Sequence, residues 1–190
     1  MRTRVPDLSR RCPRCYFPPA HCLCPSIPRL RTATRIVLVR HASERVRTTN
    51  TGRWAALALE RCEVLEHGLA GAPLGEARIA PGRAAVLFPS GGAAAPPPDL
   101  DVLVVLDGTW AQARRMLQRI PALQALPRLS LEAPPSDRLR RPTVPGGMST
   151  LEAIAAALDL LGDRAAARAL AEFHRLAVER GRALRWPGKP

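Results

Sequence analysis

The chain has 190 residues, 46% of them hydrophobic and 24% charged, and its 29 Lys and Arg against 16 Asp and Glu give a formal net charge of +13. That length fits one main domain with at most a small appendage, and that hydrophobic content can fill a core, which excludes disorder throughout. No uncharged apolar run of about 18 residues occurs, and the opening MRTRVPDLSRRCPRCY lacks the apolar stretch of an export signal, so the expectation is a soluble cytoplasmic protein with no membrane span.

Residues 1–31 are rich in Arg, Pro and Cys and follow neither a helix nor a strand period. They cannot bury a face of their own and need a staple. Cys12, Cys15, Cys22 and Cys24 supply one, in a C-x2-C-x6-C-x-C pattern. In a reducing compartment, four thiolates so spaced point to a structural zinc site with every position filled by protein. Zinc contributes an apparent ~10–16 kcal/mol to such knuckles, enough to order a coreless segment. His21 is an alternative ligand for one sulfur, and four free thiols are the plain alternative. The expected organisation is therefore a zinc-binding segment over 1–31 and a main domain over 32–190.

From residue 35 the texture changes. RIVLVRH at 35–41, AAVLFPS at 84–90 and DVLVVLD at 101–107 are short, continuous apolar runs, the pattern of strands buried on both faces. Helical patterns lie at 52–61, 109–120, 149–161 and 163–185, and Cys62 reads as a small core residue. Strands alternating with helices predict an α/β domain, a mostly parallel sheet with helices on both faces. In such a sheet ligands bind beyond the carboxyl ends of the strands, which selects the loops at 40–51, 89–92 and 107–110.

Charge separates the two parts of the chain. Arg supplies all the basic residues except Lys189, so Arg richness alone is weak evidence; but residues 1–53 carry 12 Arg against only Asp7 and Glu44. A concentrated basic field attracts a polyanion, foremost a nucleic acid. With three Trp, three Phe and one Tyr, phosphate contacts and not base stacking must dominate such binding. The loop after the first strand gathers Arg40, His41, Arg45, Arg47, Thr49, Asn50, Thr51 and Arg53, groups suited to phosphate and sugar; the alternative is a solvated loop in which Asn50 or Thr51 caps a helix. Asp107 closes the strongest strand and stands either as a functional carboxylate or as an N-cap. Ser149-Thr150-Leu151-Glu152 spells a capping box, and the same helix start could meet an anion.

In order, the Cys pattern, Thr49-Asn50-Thr51, Phe88-Pro89-Ser90, Asp107-Gly108-Thr109-Trp110 and Ser149-Thr150-Leu151-Glu152-Ala153 resemble the DTW-domain family, named for its Asp-x-Thr-Trp motif. The likeness covers about residues 10–165. One departure is Ala42, where many relatives carry proline after the histidine. The resemblance implies a SPOUT-like α/β fold with a C-terminal knot. It also implies a tRNA-uridine aminocarboxypropyltransferase, moving the 3-amino-3-carboxypropyl group of S-adenosylmethionine to N3 of a tRNA uridine with release of methylthioadenosine. On that basis Asp107 is the expected general base. Phe88, Pro89, Ser90, Leu106, Gly108, Thr109, Trp110, Ser149, Thr150 and Glu152 are expected at the donor, and Arg138 and Arg140 join the loop residues at the tRNA; no DNA partner is expected. A SPOUT-like methyltransferase and a non-catalytic zinc-stapled RNA-binding protein remain the alternatives.

Overall fold

Successive side chains of the central strands enter two different cores. In β1 (Arg35–His41), Ile36 and Leu38 pack into one cluster and Val37 and Val39 into the other. In β4 (Val102–Asp107), Leu103 and Val105 join the first and Val102, Val104 and Leu106 the second. A strand covered on both faces has no position for a polar residue, which is why these segments read as unbroken apolar runs. The computed structural model describes residues 7–72, 74–80, 82–89, 99–131 and 147–184.

The sheet is wholly parallel, in the order β2-β1-β4-β3-β5, with β2 at Cys62–His67, β3 at Ala84–Leu87 and β5 at Arg128–Leu129. Helices α1 (Thr51–Ala58), α4 (Thr150–Leu160) and α5 (Arg164–Ala183) supply the first cluster. Helix α2 (Trp110–Arg119) and the short α3 (Pro121–Gln124) supply the second. The expected α/β architecture is present, with helices on both faces. The C-terminal knot implied by the family likeness is not shown among the described residues. No helix among the described residues is long and apolar enough to cross a membrane.

Two strands went unpredicted. β2, sequence CEVLEH, is an edge strand whose Glu63 and Glu66 pair with Arg35 and Arg40 on β1. Its charges serve a cross-strand ladder, which masks the apolar signal. β5 has only two residues, too few to show any period. Cys62 packs against the first cluster from the rim of the sheet, and burial pushes its thiol up to about 12, an inert state.

The Cys-rich segment is fastened to the main core. Phe17 and Leu23 are fully buried in the same cluster as Ile36 and Leu38. The Trp54 indole N–H donates to the Cys15 carbonyl at 3.0 Å, and the Phe17 ring lies 5.5 Å from it. From α5, Arg180 donates to the Cys22 carbonyl at 2.8 Å and to Ser26 Oγ at 3.0 Å. Trp54 is therefore both core filler and clasp. Trp54→Ala should cost about 3–5 kcal/mol of stability in urea unfolding; Trp54→Phe should cost about 1–3 kcal/mol, mainly by leaving the Cys15 carbonyl without its donor.

Candidate active site

Asp107 ends β4 and, by the strand's alternation, points to the face covered by α1 and α4. It is 2% exposed. Its Oδ2 accepts from Asn50 Nδ2 at 2.8 Å and its Oδ1 from the Thr150 hydroxyl at 2.7 Å. The main chain of Gly52 closes over it: a Cβ there would stand 2.6 Å from the Asp107 carboxyl carbon. One carboxylate thus ties the ends of β4, of the loop after β1 and of the loop before α4. Burial, the largest influence, raises its pKa above the ordinary carboxylate range; the bonds from Asn50 and Thr150 oppose this, Glu44 adds to it and Arg40 opposes it.

Asn50 is fully buried and caps α1, its Oδ1 accepting from the Arg53 backbone N–H at 2.6 Å. That bond settles the amide's orientation, because the end facing a backbone N–H must be the carbonyl. The amide nitrogen then faces two carboxylates, Asp107 and, at 3.3 Å, Glu44. Glu44 is itself 1% exposed, on a one-turn 3-10 helix, with Arg47 Nε 2.9 Å from its other oxygen.

These positions revise the loop residues expected at RNA. Thr49, Asn50 and Thr51 are buried, and Asn50 turns inward to donate to the buried Asp107 carboxylate, so the three present little surface to a phosphate. Arg40 is largely buried and paired with Glu66. Arg45 is exposed, Arg47 and His41 are half-buried, and Arg53 lies 3.7 Å above the Tyr16 ring while donating to the Arg45 carbonyl at 2.5 Å. Arg138, Arg140 and Ser90 lie outside the described residues.

The residues expected at the donor fall on both sides of the sheet. Thr109 caps α2 in a reciprocal capping box with Gln112. Trp110 stacks on Phe88 with ring centroids 5.1 Å apart, and Leu106 packs in the α2-side cluster. Gln112 also donates to Ser43 Oγ at 2.9 Å and lies 3.2 Å from His41 Nδ1. Burial, then His67 and Arg115, depress the His41 pKa, with Glu44 opposing. Gly108 sits where a Cβ would come within 3.1 Å of Gln112, and Pro89 is exposed. On the Asp107 side, Ser149 and Glu152 form the capping box of α4, and Ser149 Oγ lies 3.2 Å from Nε2 of the buried His174. A groove of about 580 Å³ between α4 and α5 is lined by Met148, Glu152 and His174 among others, without Asp107 or Thr150.

Sequence reasoning singled out neither Glu44 nor Gly52. The available signals were a lone acid inside an Arg-rich stretch and a glycine in the first turn of a helix. Gly52→Ala places a methyl group against a buried carboxyl group and must displace α1 or Asp107. It should lower the melting temperature and reduce activity about as strongly as loss of Asp107 itself, as thermal unfolding and turnover assays would show.

The four Cys sulfurs lie within 4.8 Å of one another, with Cys12 and Cys24, and Cys15 and Cys22, each 3.6 Å apart. Tetrahedral zinc with bonds of about 2.3 Å sets its sulfurs about 3.8 Å apart, so this donor set fits the ion. Burial opposes ionisation of Cys12, but backbone N–H groups of Cys15 and Arg14, helped by the Cys24 and Cys22 thiols, bring its pKa down to about 6. Burial, with the neighbouring Cys12, Cys22 and Cys15, pushes Cys24 up to about 12. Zinc would supply structural cross-linking only, since no ligand position is left open. Purified protein should carry about one equivalent of zinc by elemental analysis, and a strong chelator should lower the melting temperature. Full thermal stability after complete chelation counts against the site.

Comparison with known proteins follows the same residues. The DTW domain matches residues 9–181. Over 176 residues the chain is 31% identical to tRNA-uridine aminocarboxypropyltransferase 2 of Drosophila melanogaster, covering 84% of this chain and 69% of that protein. No solved structure matches significantly. The match spans the Cys cluster, the Asn50 loop, the Asp107 turn and the α4 cap, and the chain belongs to the DTW-domain family.

Proposed function

We propose that the protein is a tRNA-uridine aminocarboxypropyltransferase that uses S-adenosylmethionine as donor. The observation that carries this reading is the convergence of three separate motifs on one carboxylate: Asn50 and Thr150 both donate to Asp107, at 2.8 Å and 2.7 Å. The name of the Drosophila relative supports the substrate class. The family resemblance also implies a SPOUT-like knot in the C-terminal part of the domain.

The chemistry is economical. The sulfonium leaves as neutral methylthioadenosine, so no general acid is needed. The uridine N3–H proton passes to a base, the N3 electron pair forms a bond to the carbon next to sulfur, and the carbon–sulfur bond breaks with its electrons going to sulfur. The protein's tasks are to position the two substrates in line and to accept one proton. Asp107 is the base in this reading: each carboxylate oxygen has a further lone pair beyond the bond it already accepts, and its raised pKa narrows the gap to the weakly acidic imide. A donor with a sulfonium and an ammonium group also needs local acid inside a protein of net charge +13, which Asp107, Glu44 and Glu152 provide. The burial of Asp107 also favours a second reading, in which it holds the donor's ammonium group. For RNA the available cations are Arg45, Arg47 and Arg53, the last against Tyr16 of the Cys-rich segment; Arg138 and Arg140, also expected there, lie outside the described residues.

A raised folded-state pKa fixes the sign of the stability effect. The contribution of Asp107 to folding is present below its unfolded pKa and is lost as pH rises through its folded pKa. At neutral pH the ionised group is a cost. Asp107→Asn removes that charge and can keep both contacts, since the Thr150 hydroxyl can accept as readily as donate. We expect this variant to unfold at or above the wild-type temperature near pH 8 while transfer falls by about 10²–10⁴-fold, and the wild-type rate to rise with pH along an acid limb above the ordinary carboxylate range. The assay is incubation with S-adenosylmethionine and tRNA. Methylthioadenosine as by-product supports the proposal, S-adenosylhomocysteine means methyl transfer, and neither product means a binding protein. Lost donor affinity with an unchanged rate of the bound complex would move Asp107 to the ammonium role.

A further inference from the structure

We infer that Glu44 is a positioning residue of the active site, holding the second N–H of the Asn50 amide and setting the electrostatic field in which the Asp107 carboxylate works. This rests on the transferase reading above. Both ends of the Asn50 amide are engaged: its carbonyl accepts from the Arg53 N–H at 2.6 Å, and its two N–H groups face Asp107 at 2.8 Å and Glu44 at 3.3 Å. With the carbonyl fixed by backbone and one hydrogen fixed by Glu44, the remaining hydrogen has a single direction, and the Asp107 oxygen lies along it.

A neutral acceptor would satisfy Asn50 equally well and without the desolvation of a charge, which costs several kcal/mol per buried ion before pairing. The chain instead buries a Glu to 1% exposure. One ion-pair partner, Arg47, keeps 37% of its side chain exposed, so solvent screens that pairing. On the inward side, the Glu44 charge raises the Asp107 pKa while Arg40 opposes it. The charged and titratable groups around Asp107 are Glu44 and Arg40 from β1 and its loop and Cys62 from β2; Arg47 and His41 in turn face Glu44. Among these, Glu44 shares a hydrogen-bond bridge with Asp107, through Asn50.

The test follows the Asp107 carboxyl carbon by NMR titration, with the signal assigned by its loss in Asp107→Asn. Glu44→Gln keeps an acceptor for Asn50 but removes the charge, and should lower the Asp107 midpoint by about 1 pH unit. Arg47→Gln strips the compensating cation from a partly exposed position and should move the midpoint the opposite way. A merely structural Glu44 would not produce shifts of opposite sign. In turnover, Glu44→Gln should lose about tenfold in kcat, a fraction of what a positioned base supplies, with KM for both substrates within about twofold and the acid limb displaced downward. An Asp107 midpoint unmoved by either substitution, or an unchanged kcat in Glu44→Gln, overturns the assignment. If Glu44→Gln fails to fold, the direction of the Arg47→Gln shift decides. If the wild type releases no methylthioadenosine, the transferase reading fails, while the two NMR midpoints still decide whether Glu44 governs Asp107.

Discussion

A carboxylate taken out of water must be met by donors or lose its charge, and in this protein that requirement falls on Asp107 at the end of the central strand. Two side-chain donors from distant parts of the chain meet it, Asn50 from the loop after β1 and Thr150 from the start of α4. Each donor is fixed by a helix cap. Asn50 caps α1, and Thr150 follows the Ser149 cap of α4. Capping and carboxylate satisfaction are therefore one network, and the absence of a side chain at Gly52 lets its two halves close. Neither helix start can move without uncovering the charge.

The same network explains which parts of the molecule were legible in the sequence. β1, β3 and β4 were readable because burial on both faces leaves only apolar residues. β2 was not, because Glu63 and Glu66 are there to meet Arg35 and Arg40 across an edge, and periodicity cannot distinguish paired charges from solvated ones. Strand-end logic placed Asp107 beside the loop at 40–51, whereas the α4 start joined them only through the family likeness. The inward turn of Asn50 was not legible: polar residues in a loop full of Arg look like surface, and it is the partner 57 positions away, Asp107, that meets its buried amide. Propensity describes a residue's neighbours in sequence, whereas this loop is governed by a neighbour in space.

The Cys-rich segment follows a related logic at larger scale. It lacks a periodic face, yet it contributes Phe17 and Leu23 to the main core and receives the Trp54 N–H and the Arg180 guanidinium on its carbonyls. Cross-linking by the sulfurs would hold the local turns, and the core would hold the segment as a whole. Tyr16, in a left-handed conformation with φ of 62°, lies under Arg53, the residue after Gly52. The knuckle thus touches the helix whose first turn covers Asp107, so order in the first 30 residues supports order at the strand end.

Charge gives the last step. The chain is strongly basic, but Glu44 and Asp107 are both buried on the same side of the sheet and bridged by one amide. A polyanion approaching the Arg-bearing loop meets Arg45, Arg47 and Arg53 at its rim, while a cationic small molecule is drawn to the acids beneath. Arg47 belongs to both layers, since its guanidinium faces Glu44 inward and keeps part of its surface outward. An RNA phosphate bound at Arg47 would weaken that cation's hold on Glu44 and so deepen the negative field around Asp107. In the proposed reading, the separation of charge by depth would give one loop two opposite selectivities and would join RNA contact to the basicity of the buried carboxylate.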